Sequence, residues 1–150
     1  CQPFFTRAVG EGSAIPETSG MAWRVLVADD DPEICTLVKT ILARGPFDVT
    51  LCNDAESALV QLRTDGPYDI LISDFMLPGM SGIDLIAQVR KDAATRRLPV
   101  VMISGHNNYA MAERAQEAGA NAFLNKPFTV VQLRTTVQQL LTDPLSVLGA

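Results

Sequence analysis

The stretch Asp69 to Phe75, DILISDF, decides the fold, because an apolar run of strand length leads into Ser73-Asp74-Phe75. Two other stretches repeat the pattern: residues 25–28 run into Asp29-Asp30-Asp31, and residues 122–124 run into Asn125-Lys126-Pro127. Continuous apolar strands are typical of a parallel sheet that is covered on both faces. In open sheets of this kind, ligands bind outside the carboxyl ends of the strands. We therefore expect a polar site at that end.

Composition limits the classes of protein to consider. The chain has 150 residues, of which 47% are hydrophobic, enough for one core but too few for two ordinary domains. Its net charge of -5 argues against a nucleic-acid partner, which would require clustered Lys and Arg, and the basic residues are scattered along the sequence. No apolar run approaches the roughly 20 residues that cross a bilayer, so no membrane association is expected.

The cysteines suggest a reducing compartment. Cys1, Cys35 and Cys52 form an odd set without a CxxC motif, and the last two fall within predicted secondary structure. Buried, reduced thiols are the simplest interpretation of such a set. We therefore predict a cytoplasmic protein.

Strands and helices alternate from residue 23 onward. The predicted strands cover residues 24–28, 47–52, 69–73, 99–103 and 121–124. The predicted helices cover residues 32–44, 54–64, 82–92, 107–118 and 128–141. Five such β–α units predict parallel strands joined by right-handed crossovers. One domain at 23–141 is thus expected between a flexible segment at 1–22 and a tail at 142–150.

Three carboxylates, those of Asp29, Asp30 and Asp74, should meet at neighbouring strand ends. Like charges a few ångströms apart repel by about 4 kcal/mol per pair at an effective dielectric near 20. A bound cation would remove this repulsion, and Mg2+ suits a few carboxylates completed by water and phosphate oxygens. A zinc site is not indicated, because the sequence has no cluster of His and Cys residues.

A carboxylate beside a cation and a lysine can accept a phosphoryl group, because the charge on the equatorial oxygens is then neutralised during transfer. Lys126 would supply one positive charge, and Ser104 could donate a hydroxyl hydrogen bond to a phosphoryl oxygen. Each feature alone has a simpler explanation: a helix-capping acidic turn at 29–31, an ordinary turn at 104–105 and a solvated lysine. Their combination at several strand ends favours the phosphoryl site.

The chain also resembles a known family. Residues 23–141 are similar to the receiver domains of two-component response regulators. The matching stretches are VLVADDDPEI at 25–34, DILISDFMLPGMSGIDLI at 69–86, LPVVMISG at 98–105 and EAGANAFLNKPF at 117–128. The resemblance implies an α/β fold that is doubly wound and CheY-like, with a five-stranded parallel sheet in the flavodoxin-like order 2-1-3-4-5. It also implies a phosphoacceptor in a phosphorelay, a signalling module that is not an enzyme in the ordinary sense.

The resemblance assigns roles to individual residues. It makes Asp74 the phosphorylated aspartate and Asp29 and Asp30 the acidic pair that holds Mg2+ together with Asp74. Met76 would offer its backbone carbonyl to the metal. Ser104 would be the switch hydroxyl and Lys126 the phosphoryl-binding lysine.

Three further assignments concern the surroundings of this site. Phe123 would be the aromatic residue that moves inward on activation, without the hydroxyl of a tyrosine. Met76 and His106 would form a rim that tunes how fast the phosphoryl group is lost. The Lys126-Pro127 bond matches one that is typically cis in the family.

The resemblance implies a sensor histidine kinase or a histidine phosphotransfer protein as the phosphodonor. Phosphorylation would remodel the surface of helix 107–118, strand 121–124 and helix 128–141, through which a homodimer could also form. Residues expected to be exposed on this surface are Tyr109, Glu113, Glu117 and Asn121.

Other functions fit the sequence less well. A phosphatase with an aspartyl-phosphate intermediate usually carries a second acid two residues after the nucleophile, where this chain has Met76. A flavodoxin-like cofactor binder needs a phosphate-cradling loop after the first strand, and Asp29-Asp30-Asp31 would repel that phosphate. A receiver that never takes phosphate is disfavoured, because no key position is lost.

The amino-terminal segment carries a second, short resemblance. PFFTRAVGEGS at residues 3–13 is similar to the lid of histidine-kinase ATP-binding domains, but the glycines that should follow are missing. We therefore expect no ATP binding, and we interpret the chain as a receiver that could derive from a hybrid histidine kinase. A linker of accidental composition is the alternative.

Overall fold

Five parallel strands form a single sheet in the order β2-β1-β3-β4-β5 in the computed structural model, which describes residues 22–105 and 109–142. The strands are β1 (Trp23–Ala28), β2 (Phe47–Cys52), β3 (Ile70–Asp74), β4 (Val100–Ser104) and β5 (Ala122–Asn125). The helices are α1 (Pro32–Leu42), α2 (Ala55–Thr64), α3 (Gly82–Lys91), α4 (Tyr109–Ala118) and α5 (Val130–Thr142). The predicted doubly wound sheet and its strand order are confirmed.

The strands are apolar throughout because each face of the sheet is covered by helices. Leu26, Leu71 and Met102 point to the face covered by α2, α3 and α4. Their neighbours Val27 and Ile72 point to the opposite face, which α1 and α5 cover. All five of these side chains are fully buried, and complete burial of one such side chain stabilises the fold by about 1.5–3 kcal/mol.

Two strands reach one residue further than the sequence pattern predicts. Asp74 and Ser104 are the last residues of β3 and β4 rather than the first residues of the following loops. Main-chain pairing explains the extension, because the Phe75 amide donates to the Ile103 carbonyl at 2.8 Å and the Lys126 amide donates to the Ser104 carbonyl at 2.7 Å. These polar residues are therefore held by the sheet itself.

The start of α5 differs from the prediction by two residues. The helix begins at Val130 instead of residue 128, because Thr129 and Gln132 form a reciprocal cap. The Gln132 amide donates to the Thr129 hydroxyl at 3.0 Å, and the Thr129 amide donates to the Gln132 side-chain oxygen at 2.9 Å. This capping box satisfies two amides that the first turn leaves unpaired.

Helices α1 and α3 begin at the predicted residues 32 and 82, whereas α2 begins at Ala55, one residue after the predicted start. Asp31 caps α1 by accepting a hydrogen bond from the Glu33 amide at 2.9 Å, and Asp54 caps α2 by accepting one from the Ser57 amide at 2.7 Å. Helix α4 is described only from Tyr109, since residues 106–108 lie outside the described part.

The amino end of the sheet is held by two arginines. Arg24 donates to the Asp65 side chain at 2.8 Å and to the Pro67 carbonyl at 2.9 Å, and its guanidinium stacks 4.3 Å from the Tyr68 ring centre. Arg90 donates to four oxygens, those of Arg96, Leu98, Gly119 and the Asn121 side chain. Both guanidinium groups thus join segments that are distant in sequence.

Asn121 corrects one expectation. The sequence suggests an exposed residue on the surface around α4, but Asn121 is half-buried. Its side-chain oxygen accepts hydrogen bonds from Arg90 at 3.1 Å and from the Val100 amide at 2.8 Å. Tyr109, Glu113 and Glu117 are exposed, as predicted.

Cys35 and Cys52 are buried free thiols, as the sequence predicts. Within the described residues no helix is long and apolar enough to cross a membrane. The structure describes only residue 22 of the predicted segment 1–22, so Cys1 lies outside the described part of the chain. It describes only residue 142 of the predicted tail.

Candidate functional site

Three carboxylates meet at the carboxyl end of the sheet. Asp29 and Asp30 follow β1, and Asp74 ends the neighbouring strand β3. One oxygen from each carboxylate lies within 4.8 Å of the other two. Asp29 and Asp74 are almost completely buried, while Asp30 is exposed to solvent. The structure therefore brings together the acidic residues that the sequence proposes as metal ligands.

Lys126 lies between the two buried carboxylates. Its Nζ is 3.1 Å from Oδ2 of Asp29 and 3.3 Å from Oδ2 of Asp74. The residue directly follows β5, and its amide is bonded to the Ser104 carbonyl, so the sheet fixes the start of its side chain. The Lys126-Pro127 peptide bond is cis, as the resemblance implies.

One oxygen of Asp29 is left without a hydrogen bond. Its Oδ1 accepts from the Asp31 amide at 2.9 Å, whereas the fully buried Oδ2 has only the ion pair with Lys126 among the described residues. Burial raises the pKa of Asp29, and repulsion by Asp74 adds to this effect. The Asp31 amide and the Lys126 ammonium oppose the rise without cancelling it.

These residues fit a hard divalent cation. Carboxylate oxygens are the donors that such cations prefer, and the buried Oδ2 of Asp29, which has only Lys126 beside it among the described residues, has lone pairs free for a ligand. Asp30 leaves the cluster open to solvent, which suits a metal that keeps several waters. The donor set therefore agrees with the Mg2+ expected from the sequence.

The Lys126 ammonium is held in its charged form. Burial alone would lower the pKa of Lys126, but the carboxylates of Asp74 and Asp29 outweigh burial, so the pKa of Lys126 is raised above 10.5. The side chain is consequently a permanent positive charge at neutral pH. It lies beside the two buried carboxylates of the acidic cluster. In this position it can neutralise part of the charge of an incoming anion.

The main chain around Asp74 fixes the predicted acceptor. Oδ1 of Asp74 accepts a hydrogen bond from the Met76 amide at 3.2 Å. The Ser73 hydroxyl donates to the Asp74 carbonyl at 3.0 Å and is fully buried. Met76 is 57% exposed, and its predicted role as a rim residue stays a prediction.

The two predicted switch residues lie on adjacent strands. Ser104 is fully buried at the end of β4 and is paired with Asn125 in β5. Phe123 is partly buried and packs against the core on the face of α2, α3 and α4. His106, the other predicted rim residue, lies outside the described residues.

Two contacts near the site were not predicted from the sequence. Gly82 begins α3 so close to the main chain of β3 that a β-carbon there would collide with the Asp74 carbonyl. The thiol of Cys35 donates to the Asp29 carbonyl at 3.2 Å. A glycine in the first turn of a helix is a signal that could have identified the first contact, whereas nothing in the sequence indicates the second.

A family model settles the class of protein. The model of the response regulator receiver domain matches residues 25–138. The chain belongs to this family. As a receiver domain, it is related to the phosphoacceptor domains of chemotaxis and transcriptional regulators, and the phosphatase alternative is not favoured.

Individual relatives agree with the family match. The phosphate regulon transcriptional regulatory protein PhoB of Escherichia coli is 33% identical over 121 residues, which cover 81% of this chain and 52% of PhoB. The chemotaxis protein CheY of Pseudomonas aeruginosa is 32% identical over 118 residues, which cover 78% of this chain and 94% of CheY. This receiver thus spans about half the length of PhoB but nearly all of CheY.

A solved structure gives the same result for the fold. The crystal structure of a putative response regulator from Chloroflexus aurantiacus superimposes with a TM-score of 0.77 at 31% identity. The match covers 80% of this chain and 98% of the other. The residues matched by the family model include every predicted site residue from Asp29 to Lys126.

Proposed function

We propose that this receiver takes a phosphoryl group onto Asp74 from a phosphohistidine, in a reaction that requires Mg2+. The observation that carries the proposal is the position of Lys126, whose ammonium lies within 3.3 Å of two buried carboxylates beside an oxygen that has no hydrogen bond. Asp29, Asp30 and Asp74 would hold the metal, with the carbonyl of Met76 as a further ligand. When bound, Mg2+ supplies positive charge that neutralises the transferred group.

The transfer is a displacement at phosphorus. A carboxylate oxygen of Asp74 forms the new O–P bond as the N–P bond of the phosphohistidine breaks, and the imidazole leaves with that electron pair and takes up a proton. Lys126 stabilises the negative charge that develops on the phosphoryl oxygens. The Met76 amide and the Ser73 hydroxyl hold the Asp74 carboxyl group and its main chain in position. The receiver thereby catalyses its own modification, without turnover of a separate substrate.

The phosphoryl group would then act on the buried hydroxyl of Ser104. This hydroxyl lies at the end of the strand next to β3, and it would donate a hydrogen bond to a phosphoryl oxygen. Movement of Ser104 would free space for Phe123 to turn inward from its half-buried position. The surface of α4, β5 and α5 would change with it, as a shift between two packings biased by one new charged group.

Intact-mass measurement tests the assignment directly. After incubation with Mg2+ and acetyl phosphate, we expect the wild type to gain the mass of one phosphoryl group and Asp74→Asn to gain none. Asp48→Asn, which neutralises an exposed aspartate on β2, is the matched control and should react like the wild type. Phosphorylation of Asp74→Asn, or of the wild type in excess EDTA at an equal rate, would refute the proposal.

The rim residue Met76 supports a second proposal about the same site. Its main-chain amide donates to the Asp74 carboxylate, and its side chain is apolar and exposed, so it would hinder the water that hydrolyses the phosphoryl group. We expect the phosphorylated form to decay faster in Met76→Ala than in the wild type. An equal or longer lifetime in the variant would contradict this role.

A histidine kinase or a histidine phosphotransfer protein is the proposed donor, and a homodimer through α4, β5 and α5 is a proposed output. Incubation with phosphorylated candidate donors, followed by loss of label from histidine and its gain by this receiver, identifies the partner. The cytoplasmic location stays a prediction, as does the origin from a hybrid kinase.

A further inference from the structure

A second cleft lies at the amino end of the sheet, opposite the acidic cluster. It has a volume of 540 Å³ and is lined by residues 62–63 of α2, by residues 66–69 before β3, and by residues 93–99 before β4. We call it the arginine cleft, after Arg63, Arg96 and Arg97 in its lining. Since β3 is five residues long, roughly 15 Å of strand separates this cleft from Asp74.

The three arginines of the cleft have no partners within the described part of the chain. None of their guanidinium groups takes part in an ion pair or a hydrogen bond there, and all three residues are exposed. They are far apart in sequence, at 63 and at 96–97, so only the fold brings them together.

The acidic groups neutralise the cleft only in part. Asp69 also lines it, and its Oδ2 accepts a hydrogen bond from the Arg24 amide at 2.8 Å. The Asp92 carboxylate, next to the lining, accepts from the Ala94 amide at 3.0 Å. The charged residues of the lining are three arginines and one aspartate, so positive charge predominates in the cleft.

The floor of the cleft is apolar. Leu62, Tyr68 and Leu98 line it, and each is less than 9% exposed. A cavity of a few hundred cubic ångströms with an apolar floor and a few convergent charged groups is typical of a site for a small molecule. A flat basic surface for a long polyanion would lack this depth.

We propose that the arginine cleft binds a small molecule that carries a diphosphate or triphosphate chain. The planar guanidinium fork matches phosphate oxygens in pairs, and arginine is the residue best suited to this recognition. Several phosphates in one chain would engage Arg63 on one wall and Arg96 and Arg97 on the other. The site is independent of the proposed phosphorylation, because its lining shares no residue with the acidic cluster.

Calorimetric titration of the full chain with pyrophosphate and with ATP tests the proposal. Excess EDTA and the Asp74→Asn background prevent metal-dependent binding at the carboxyl end of the sheet. We expect saturable binding that weakens about tenfold in each of Arg63→Gln, Arg96→Gln and Arg97→Gln, since one charge-assisted contact is lost. Arg44→Gln, which removes an exposed charge from the turn after α1, is the matched control and should leave the affinity unchanged.

Amide spectra locate the binding and identify the source of the phosphate chain. Resonances of residues 93–98 should shift on titration, while those of residues 29 and 74 should not. Equal affinity for the two probes would indicate a free polyphosphate, and tighter binding of ATP would indicate a nucleotide that also uses the apolar floor. The proposal fails if neither probe binds, if Arg44→Gln weakens binding equally, or if a poly-glutamate peptide binds these arginines more tightly than either probe.

Discussion

Two groups of charged side chains, one at each end of the sheet, differ in whether the fold provides their partners. At the amino end, Arg90 donates to four oxygens and Arg24 is stacked and hydrogen-bonded. At the carboxyl end, Oδ2 of Asp29 is buried without a hydrogen bond, and its neighbour Asp74 repels it. We therefore distinguish charged groups that stabilise the fold from charged groups that are available to bind a ligand. Removing the first kind should cost stability, and removing the second kind should cost binding.

The largest expected effect is at Arg90. Arg90→Gln leaves several part-buried oxygens without their donor, so we expect a loss of about 3 kcal/mol in the free energy of unfolding. Arg97→Gln removes the same charged group from an exposed position without partners among the described residues, and should change stability by less than about 0.5 kcal/mol. Urea denaturation measures both. Equal effects of the two substitutions would remove the distinction between the two kinds of charge.

The next largest effect is expected at Asp29, whose carboxylate destabilises the metal-free fold but is a proposed ligand of the metal. Asp29→Asn removes a buried negative charge that Asp74 repels, so we expect the metal-free variant to melt at a higher temperature than the wild type. The same change removes a ligand, so the affinity for Mg2+ should fall at least about tenfold. Thermal denaturation with and without Mg2+ measures both quantities. A variant that loses stability while keeping its affinity would reverse this assignment.

A smaller effect is expected at the start of α5, which follows Lys126 at the carboxyl end. Thr129→Ala removes one half of the capping box and should cost about 1 kcal/mol in the free energy of unfolding. Thr135→Ala, at an exposed position within the same helix, is the matched control. Phosphorylation should be unaffected, because the cap is satisfied without a ligand. A control that loses as much stability as Thr129→Ala would show that the cap is not the cause.

The smallest expected effect is a pH dependence of the free energy of unfolding that arises from Asp29. Its folded-state pKa is raised above the ordinary value of 3.8, so the protonated acid stabilises the folded state. This contribution is complete below pH 3.8 and is lost as the pH rises through the raised pKa. The metal-free wild type should therefore lose stability relative to Asp29→Asn as the pH increases in this range.

The paired comparison isolates Asp29, because Asp54 and Asp65, whose pKa values are lowered, titrate equally in both proteins. Chemical denaturation at a series of pH values gives the difference. A difference that does not vary with pH would show that the Asp29 carboxylate ionises normally in the folded protein.

The sequence predicted the fold well because its strongest signals are local. Continuous apolar strands, the predicted helix starts at residues 32 and 82 and the repeated alternation all act over a few residues, and each survives in the structure. The capping box at Thr129 was missed, although its residues are also close in sequence, because the apolar pattern begins earlier at Phe128. Helix boundaries are decided by individual hydrogen bonds, which an apolar pattern does not show.

The site was predicted in part. The convergence of Asp29, Asp74 and Lys126 follows from strand ends meeting at one edge, and the family resemblance supplied their roles. The Asp29 oxygen that has no hydrogen bond could not be predicted, because it depends on distances between side chains from three segments. The proximity of Arg63 and Arg96 could not be predicted either, because these basic residues are far apart in sequence and become neighbours only in the folded protein.

The contact between Gly82 and the Asp74 carbonyl limits how this protein can evolve. Any side chain at position 82 would push the first turn of α3 away from the strand that ends in Asp74. The position carries no chemical group, yet a library of all single substitutions should find it nearly as intolerant as the aspartate itself. Variation in this receiver is therefore expected to accumulate further along α3, where exposed residues such as Ala87 and Lys91 can change freely.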